Sequence, residues 1–320
     1  MSFSHDLDVD PLLIETVDRL LGAATLASAE PGESEGWSAE LWKRLAEAGF
    51  PWISVPEAAG GAGGSVTDAM AVLRLVGAHA SPVPLAETGV LGGWLSAAAG
   101  FSLAEGPLSV VPDATTLSVS SGGLTGGSVV AWGSQAERIL GLVRDRDRWL
   151  IVSLAPHQLE MTPGVNLAGE PRDTILVDVP LGDVDHAPAP PDVDGQALLL
   201  RGALTRVNLA AGALVAMSQL TVDYTHERRQ FGKPVASFQA VQHHLVNGAQ
   251  AAARADMAAR AATRALARGS GAFEIASARV VVDRAITEAT RAAHQAHGAM
   301  GVTREYPLHR LSRRLWAWQH

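Results

Sequence analysis

Apolar residues recur at helical spacing in two long regions of the chain. Over residues 10–100 the pattern predicts helices, the first carrying Leu13, Val17 and Leu20 on one face. Ser38 is predicted to cap a second helix that stops at Gly49, and a third helix is predicted to start near Thr67.

The same helical period returns at Ala197 and continues to the end. It predicts helices at about 197–228, 238–268 and 272–297, and a fourth after Pro307. Long Ala-rich helices joined by short turns indicate an antiparallel four-helix bundle.

Residues 101–190 have a different pattern. Short runs rich in β-branched residues, such as 128–132, 149–154 and 174–179, are separated by Gly, Pro and Asp clusters. Their close spacing predicts a small antiparallel sheet or barrel, followed by a Pro/Asp-rich linker at 185–194. The fold class is therefore α+β multidomain: an N-terminal all-α domain (1–100), a small central antiparallel β domain (101–194) and a C-terminal antiparallel four-helix bundle (195–320).

Composition narrows the function classes. The chain has 320 residues, a formal net charge of -8 and no cysteine. The negative charge argues against a nucleic-acid partner, and the lack of cysteine excludes disulfides and thiolate chemistry. The acidic N-terminus does not resemble a secretory signal, and no uninterrupted apolar run reaches the roughly 18 residues of a membrane span. We expect a cytoplasmic protein without a membrane partner.

The first candidate site is the stretch 224–242, at the junction of two predicted helices. Arg228 and Arg229 precede a turn containing Phe231 and Gly232, and Ser237 is a candidate N-cap for the next helix. Planar guanidinium groups and an aromatic face suit a flat, phosphate-bearing ligand. A solvated basic turn between two helices is the alternative.

The second candidate site is the stretch 294–307. Small residues at a helix end permit close approach of a ligand to the backbone. His294 and His297 share one helix face and could ligate a metal, but no further ligand has suitable spacing, so ordinary helix-face histidines are the preferred interpretation and no metal is predicted. Glu305 is a candidate general base, with a capping or ion-pair role as the alternative. The sequence contains no Walker A, G-x-S-x-G or complete G-x-G-x-x-G motif.

Three stretches together resemble the acyl-CoA dehydrogenase family: LWKRLAEAGFPWISVPEAAGGAGG, RRQFGKPVASFQAVQ and HQAHGAMGVTREYP. The resemblance spans essentially the whole chain. It implies removal of two hydrogens from an acyl-CoA thioester: a carboxylate takes the α proton and FAD accepts the β hydride at N5. It also implies electron-transfer flavoprotein as a partner and a tetrameric assembly.

The resemblance also implies roles for particular residues. Arg228 would meet the FAD pyrophosphate, and Arg206 would help to hold the CoA end. The adenine and ribose side would be contacted by Phe231, Phe238 and Gln239. A small-residue turn contacting FAD across a subunit interface would comprise Gln295, Gly298 and Ala299, where alanine replaces the usual second glycine.

Two features depart from the family pattern. The usual position of the catalytic glutamate, counted from Glu305, falls past His320, and the other family position for the base holds Thr205. The catalytic residue is therefore unknown, with Glu305 the remaining candidate. The Thr-Glu-Pro and Gly-Ser-Asp motifs that cradle the flavin ring are not found; the nearest stretch, 167–172, has the wrong context.

Shortened chains of this kind resemble subunits of heteromeric acyl-CoA dehydrogenases in actinobacterial sterol side-chain catabolism. Two hypotheses follow. The chain is an FAD-dependent acyl-CoA dehydrogenase in a homotetramer or heterotetramer, or it is a non-catalytic structural subunit that completes the FAD site of another chain.

Overall fold

The computed structural model describes residues 9–27, 36–269 and 271–319. They form two compact units. The first contains the described residues up to 27 together with residues 70–81 and 203–319. The second contains residues 36–69 and 82–202. The three-domain boundaries drawn from the sequence remain a prediction.

The helices follow the predicted pattern closely. Those of the N-terminal region are α1 (Pro11–Ala27), α2 (Ala39–Glu47), α3 (Val66–Ala78), a π-helix (Ala86–Gly93) and α4 (Trp94–Ala99). Those of the C-terminal region are α5 (Gly195–Glu227), α6 (Gln239–Ala267), α7 (Ala272–His297) and α8 (Leu308–Ala317). The chain thus has a helical N-terminal region, a central β region and a C-terminal helical region, which confirms the predicted fold class.

The predicted helix boundaries have local causes. The Ser38 hydroxyl accepts a hydrogen bond from the Leu41 N–H at 3.3 Å, which confirms Ser38 as the N-cap of α2. Gly49 follows that helix with φ of 78°, a left-handed conformation that favours glycine. Ser65 and Asp68 form reciprocal side-chain-to-backbone hydrogen bonds at the start of α3, a capping arrangement that the sequence analysis did not identify.

Two four-stranded sheets form the centre of the second unit, with strand orders β1-β4-β5-β8 and β2-β3-β7-β6. The first comprises β1 (Leu108–Val110), β4 (Arg138–Asp145), β5 (Arg148–Leu154) and β8 (Asp185–Pro188). The second comprises β2 (Leu117–Ser120), β3 (Gly123–Ala131), β6 (Leu159–Thr162) and β7 (Arg172–Pro180).

Two details of the β prediction were wrong. The strands pair antiparallel except β1, which runs parallel to β4. A parallel pair needs a long connection, and here the chain makes β2 and β3 of the other sheet between the two strands. The predicted linker at 185–194 begins with β8, which pairs with β5 and so belongs to the sheet.

The sheets pack face to face, because one buried cluster contains residues of both, including Val152 and Ile175. Successive residues of β5 point to opposite faces. Val152 therefore lies in the inter-sheet core, while its neighbour Ile151 lies in a second core shared with Leu91 and Leu95 of the π-helix and α4.

The first unit is built around α6 and α7, whose facing surfaces are rich in buried alanine. Elsewhere in this unit α3 and α5 approach closely: a Cβ at Gly77 would collide with the Leu209 carbonyl. Arg74 donates to the Asn208 side chain at 3.0 Å, and Asn208 donates to the Thr263 hydroxyl at 3.2 Å, all buried. This network fixes α3, α5 and α6 in register.

Among the described residues, α5 alone is long and apolar enough to cross a membrane, judged by length and composition. In its most apolar window 61% of the residues are buried inside the protein. The core helix of a soluble protein passes the same test, and the burial of α5 agrees with that role.

Candidate functional site

The two candidate stretches meet at one end of the helical bundle in the first unit. The Tyr224 hydroxyl, near the end of α5, donates to the His297 carbonyl oxygen at 3.3 Å, at the end of α7. The Tyr224 ring stacks on the His297 ring with centroids 4.3 Å apart and meets the Tyr306 ring edge-on at 5.0 Å. We call Tyr224, His297 and Tyr306 the aromatic cluster. It contains both tyrosines of the chain.

The hairpin turn, residues 228–238, follows α5. Two-residue strands β9 (Arg229–Gln230) and β10 (Lys233–Pro234) pair antiparallel. Phe231 and Gly232 connect them with φ of 52° and 80°. Positive φ at both central residues gives the tight turn that matches strand twist, but it is unusual for phenylalanine. The Phe231 side chain is 91% exposed.

The side chains that the hairpin turn presents are open to solvent. Arg228 and Gln239 are exposed, and neither side chain has a hydrogen-bond partner among the described residues. Phe238 is half-buried, with the Phe231 ring edge-on at 6.1 Å and the Lys233 ammonium 4.4 Å from its centroid. An arginine fork and two aromatic rings on one short segment can bind a flat, phosphorylated group.

Ser237 does not cap α6, contrary to the prediction. It lies in a short 3₁₀ turn and its hydroxyl donates to the Pro234 carbonyl at 2.7 Å. Phe238 occupies the N-cap position, so no side chain caps α6. The N–H groups of the first turn of α6 therefore keep their capacity to bind an anion.

The helix-end turn, residues 294–307, contributes smaller groups. Gln295 is exposed on the last turn of α7, and its side chain has no hydrogen-bond partner in the described part of the chain. Gly298 has φ of 61°, and no atom lies within 4 Å of where its Cβ would be. Ala299 is also exposed. Gly301 is buried, and a Cβ added there would lie 2.9 Å from the His297 Cβ, so a larger residue would not fit.

Two histidines in the last turn of α7 contact the protein interior beneath the exposed part of the helix-end turn. His297 Nδ1 lies 2.8 Å from the Ala293 carbonyl oxygen and must carry the proton, which leaves Nε2 buried without a hydrogen-bond donor in the described structure. His294 stacks on Trp316 with centroids 5.9 Å apart. Burial lowers the pKa of both histidines. The Gly301 backbone acts to raise the pKa of His294, although it makes no hydrogen bond of ordinary geometry with that imidazole.

Comparisons with known proteins agree with this geometry. The profile "Acyl-CoA dehydrogenase, N-terminal domain" matches residues 12–100, and "Acyl-CoA dehydrogenase, C-terminal domain" matches residues 198–317. Acyl-CoA dehydrogenase IpdE2 of Mycobacterium tuberculosis is 30% identical over 313 residues, covering 93% of this chain and 88% of that protein. This chain belongs to the acyl-CoA dehydrogenase family.

Solved structures support the same fold. A chain of the ChsE4-ChsE5 complex from Mycobacterium tuberculosis is similar with a TM-score of 0.87 and 22% identity, over 100% of this chain and 94% of that one. A chain of the Tcur3481-Tcur3483 steroid ACAD G363A variant has a TM-score of 0.83 and 23% identity, over 96% and 91% of the two chains. The resemblance to this family and to its actinobacterial heteromeric forms is thereby confirmed.

The predicted catalytic and substrate residues of this chain lie apart from one another. Arg206 follows the buried Thr205 on α5 and lies 22 residues before Arg228, roughly 33 Å along the helix at 1.5 Å per residue. Glu305 is exposed in the helix-end turn. The structure therefore places the end of α5 that precedes Arg228 beside the end of α7 that carries Gln295, with Arg206 far along α5.

The stretch 167–172, the nearest match to the ring-cradle motifs, forms a closed loop between β6 and β7. Asn166 organises it by donating to the Glu170 carboxylate at 2.9 Å and accepting from the Ala168 N–H at 2.8 Å. Glu170 is buried. These Asn166 hydrogen bonds close the loop in the manner of an Asx turn.

The sequence analysis missed the aromatic cluster, although its signal was available. Tyrosine occurs twice in the chain, each time inside one of the two candidate stretches. Burial raises the pKa of Tyr306, with further contributions from the nearby carboxylates of Glu227 and Asp223. The cluster is therefore neutral and partly desolvated, next to the point where α5 leads into the exposed hairpin turn.

Proposed function

We propose that this chain is an FAD-dependent acyl-CoA dehydrogenase subunit that holds the nucleotide half of the flavin at one end of its helical bundle. The supporting observation is the contact of Tyr224, at the end of α5 that leads into the hairpin turn, with His297 and Tyr306 of the helix-end turn. These turns carry the residues for which the family resemblance implies FAD contacts, and they are far apart in sequence.

The residues present fit a flavin nucleotide. Arg228 and Gln239 are exposed without a described protein partner, and α6 begins without a side-chain cap. Gly298 leaves open space where any other residue would project a side chain. Together they offer a guanidinium fork and helix N–H groups for a pyrophosphate, and a bare backbone for close approach.

Each residue has a distinct task in this proposal. Arg228 pairs with the pyrophosphate, Phe231 and Phe238 contact the adenine and ribose side, and Gln239 donates its amide there. The second group, lying across a subunit interface, comprises Gln295, Gly298 and Ala299. Held by these residues, FAD would supply the acceptor for the hydride from the substrate Cβ. Arg206 would bind the CoA end.

The exposure of these groups supports an oligomer. Phe231 is 91% exposed in the single chain, and a nucleotide lying on this open surface would be enclosed only by a second subunit. We therefore infer a homotetramer or a heterotetramer with another acyl-CoA dehydrogenase chain, located in the cytoplasm and reoxidised by an electron-transfer flavoprotein.

A specific observation favours a second candidate function. Thr205 occupies one family position for the catalytic base, and it is a fully buried hydroxyl that cannot take a proton at neutral pH as a carboxylate does. In this alternative the chain is a non-catalytic subunit that completes the FAD site of a partner chain. Glu305, exposed in the helix-end turn, is the candidate base under the first proposal.

The proposal is tested by flavin content. The chain is purified alone and with a second acyl-CoA dehydrogenase chain, and flavin absorbance and its bleaching by acyl-CoA are measured. Arg228→Ala should weaken FAD retention about tenfold or more, because a charge-assisted contact is lost. Arg264→Ala, an exposed arginine toward the other end of α6, is the matched control.

The outcomes separate the two candidates. Yellow protein that acyl-CoA bleaches supports the autonomous enzyme, whereas flavin retained only with the partner chain supports the structural subunit. Unchanged FAD retention in Arg228→Ala would remove the cofactor role of the hairpin turn.

A further inference from the structure

Arg201, in the second turn of α5, lies on the ring of Trp94, the first residue of α4. The guanidinium carbon is 4.4 Å from the indole centroid, close enough for a cation–π contact. Both residues belong to the second unit and both are half-buried. Trp94 in turn packs against the apolar core that contains Leu95 and Leu198.

The hydrogen-bonding capacity of Arg201 is unused. The guanidinium group has five N–H donors, yet within the described structure it makes neither a hydrogen bond nor an ion pair. Burial lowers the pKa of Arg201 to about 10, with the Asp192 charge opposing the shift. The side chain remains a cation at neutral pH, held in a partly dry environment without an acceptor.

Two other arginines of the same unit, Arg138 and Arg144, have acceptors in the protein. Arg138 donates to the Ser153 side chain and carbonyl, both at 2.9 Å, and also pairs with Asp185. Arg144 also lies over a tryptophan, 5.4 Å from the Trp149 centroid, but it is exposed and donates to the Arg146 carbonyl. A desolvated cation that lacks such partners is a mark of a binding site.

We propose that Arg201, held on Trp94, binds a carboxylate carried by the acyl group of the substrate. The planar fork matches the two oxygens of a carboxylate, and the tryptophan face provides an apolar platform for the adjoining carbon chain. The single positive charge of Arg201 is partly offset by the negative charge of Asp192, so it suits a ligand with one negative charge better than a pyrophosphate. This inference rests on the proposed function and names its substrate class as the CoA thioester of a dicarboxylic acid.

A purely structural role makes a different prediction. If Arg201 only covers Trp94, an apolar side chain of similar length should replace it without affecting ligand choice. Arg201→Met keeps the cover and removes the donors, and Arg201→Lys keeps the charge without the fork. Arg144→Met, at the other arginine–tryptophan pair, is the matched control.

The test is calorimetric titration with glutaryl-CoA and pentanoyl-CoA, whose five-carbon acyl groups differ by one carboxylate, and with CoA itself. We expect a preference of about tenfold for glutaryl-CoA in the unmodified protein and in Arg144→Met. The preference should disappear in Arg201→Met and be partial in Arg201→Lys. A preference that survives in Arg201→Met overturns the proposal. An equal loss for both thioesters and CoA also overturns it, because it assigns the guanidinium to a CoA phosphate.

Failure of the proposed function gives a separate result. If the unmodified protein binds neither thioester, pentanoate and the neutral pentanamide are compared by the NMR shift of the Trp94 indole, assigned with Trp94→Phe. A pentanoate shift that pentanamide does not produce, and that Arg201→Met abolishes, keeps the carboxylate site while rejecting the acyl-CoA substrate. Equal behaviour of the two ligands overturns the site.

Discussion

The hairpin turn and the helix-end turn meet at the same end of the bundle, but they are built differently. The hairpin turn takes its shape from local backbone geometry, positive φ at Phe231 and Gly232, and its side chains project into solvent. The helix-end turn is held from below by buried His297 and close-packed Gly301. Substitutions in the hairpin turn should therefore change ligand binding without changing stability, whereas substitutions in the helix-end turn should change both.

The largest expected effect comes from removing the contact between the end of α5 and the helix-end turn. Tyr224→Ala deletes a ring that stacks on His297 and meets Tyr306, together with one hydrogen bond. We expect about 3 kcal/mol of lost unfolding free energy, measured by urea denaturation, and weaker FAD binding.

Tyr224→Phe is the control for that variant. It retains the stack and removes only the hydroxyl bond to the His297 carbonyl, so the loss should be about 1 kcal/mol. If Tyr224→Ala is as stable as Tyr224→Phe, the rings do not join α5 to the helix-end turn.

A smaller effect is expected from pH. Because burial lowers the folded-state pKa of His294 and His297 below the usual 6.5, the unfolded chain binds protons more readily. Their contribution to stability is complete above pH 6.5 and is lost as pH falls through the lowered pKa. Urea unfolding between pH 7.5 and 5 should show this decline.

Replacing the two histidines separates this effect from general acid destabilisation. His294→Gln with His297→Phe should flatten the decline, whereas His243→Gln, at an exposed position of α6, should leave it unchanged. An identical slope in all three proteins would contradict the role of the buried pair.

The smallest effect on stability is expected in the hairpin turn. Phe231→Asn replaces a strained aromatic residue by one that tolerates positive φ, so the unfolding free energy should stay within about 0.5 kcal/mol or rise. FAD affinity should fall nevertheless, because the exposed ring is lost. Phe273→Asn, 79% exposed on α7, should change neither affinity nor the flavin spectrum. A large loss of stability in Phe231→Asn would show that this turn is coupled to the bundle as tightly as the other.

Much of the fold could be predicted from the sequence, because helical and strand periods are local. The helices α5, α6 and α7 begin and end within two residues of their predicted positions. Caps depend on finer geometry: Ser38 caps as predicted, while Ser237 donates to Pro234 because the chain turns before α6 starts. The strand at 185–188 was missed because its pairing partner, β5, is distant in sequence.

The candidate site divides along the same line. Sequence alone determined which residues could contact a nucleotide, since Arg228, Phe231, Gln295 and Gly298 lie in two recognisable stretches. Only the tertiary structure decided that the stretches share one bundle end, and that Arg201 lies on Trp94 without an acceptor. A motif consists of residues that are neighbours in the sequence, so it can be identified from the sequence. Desolvation and contacts between distant side chains arise only when the helices pack.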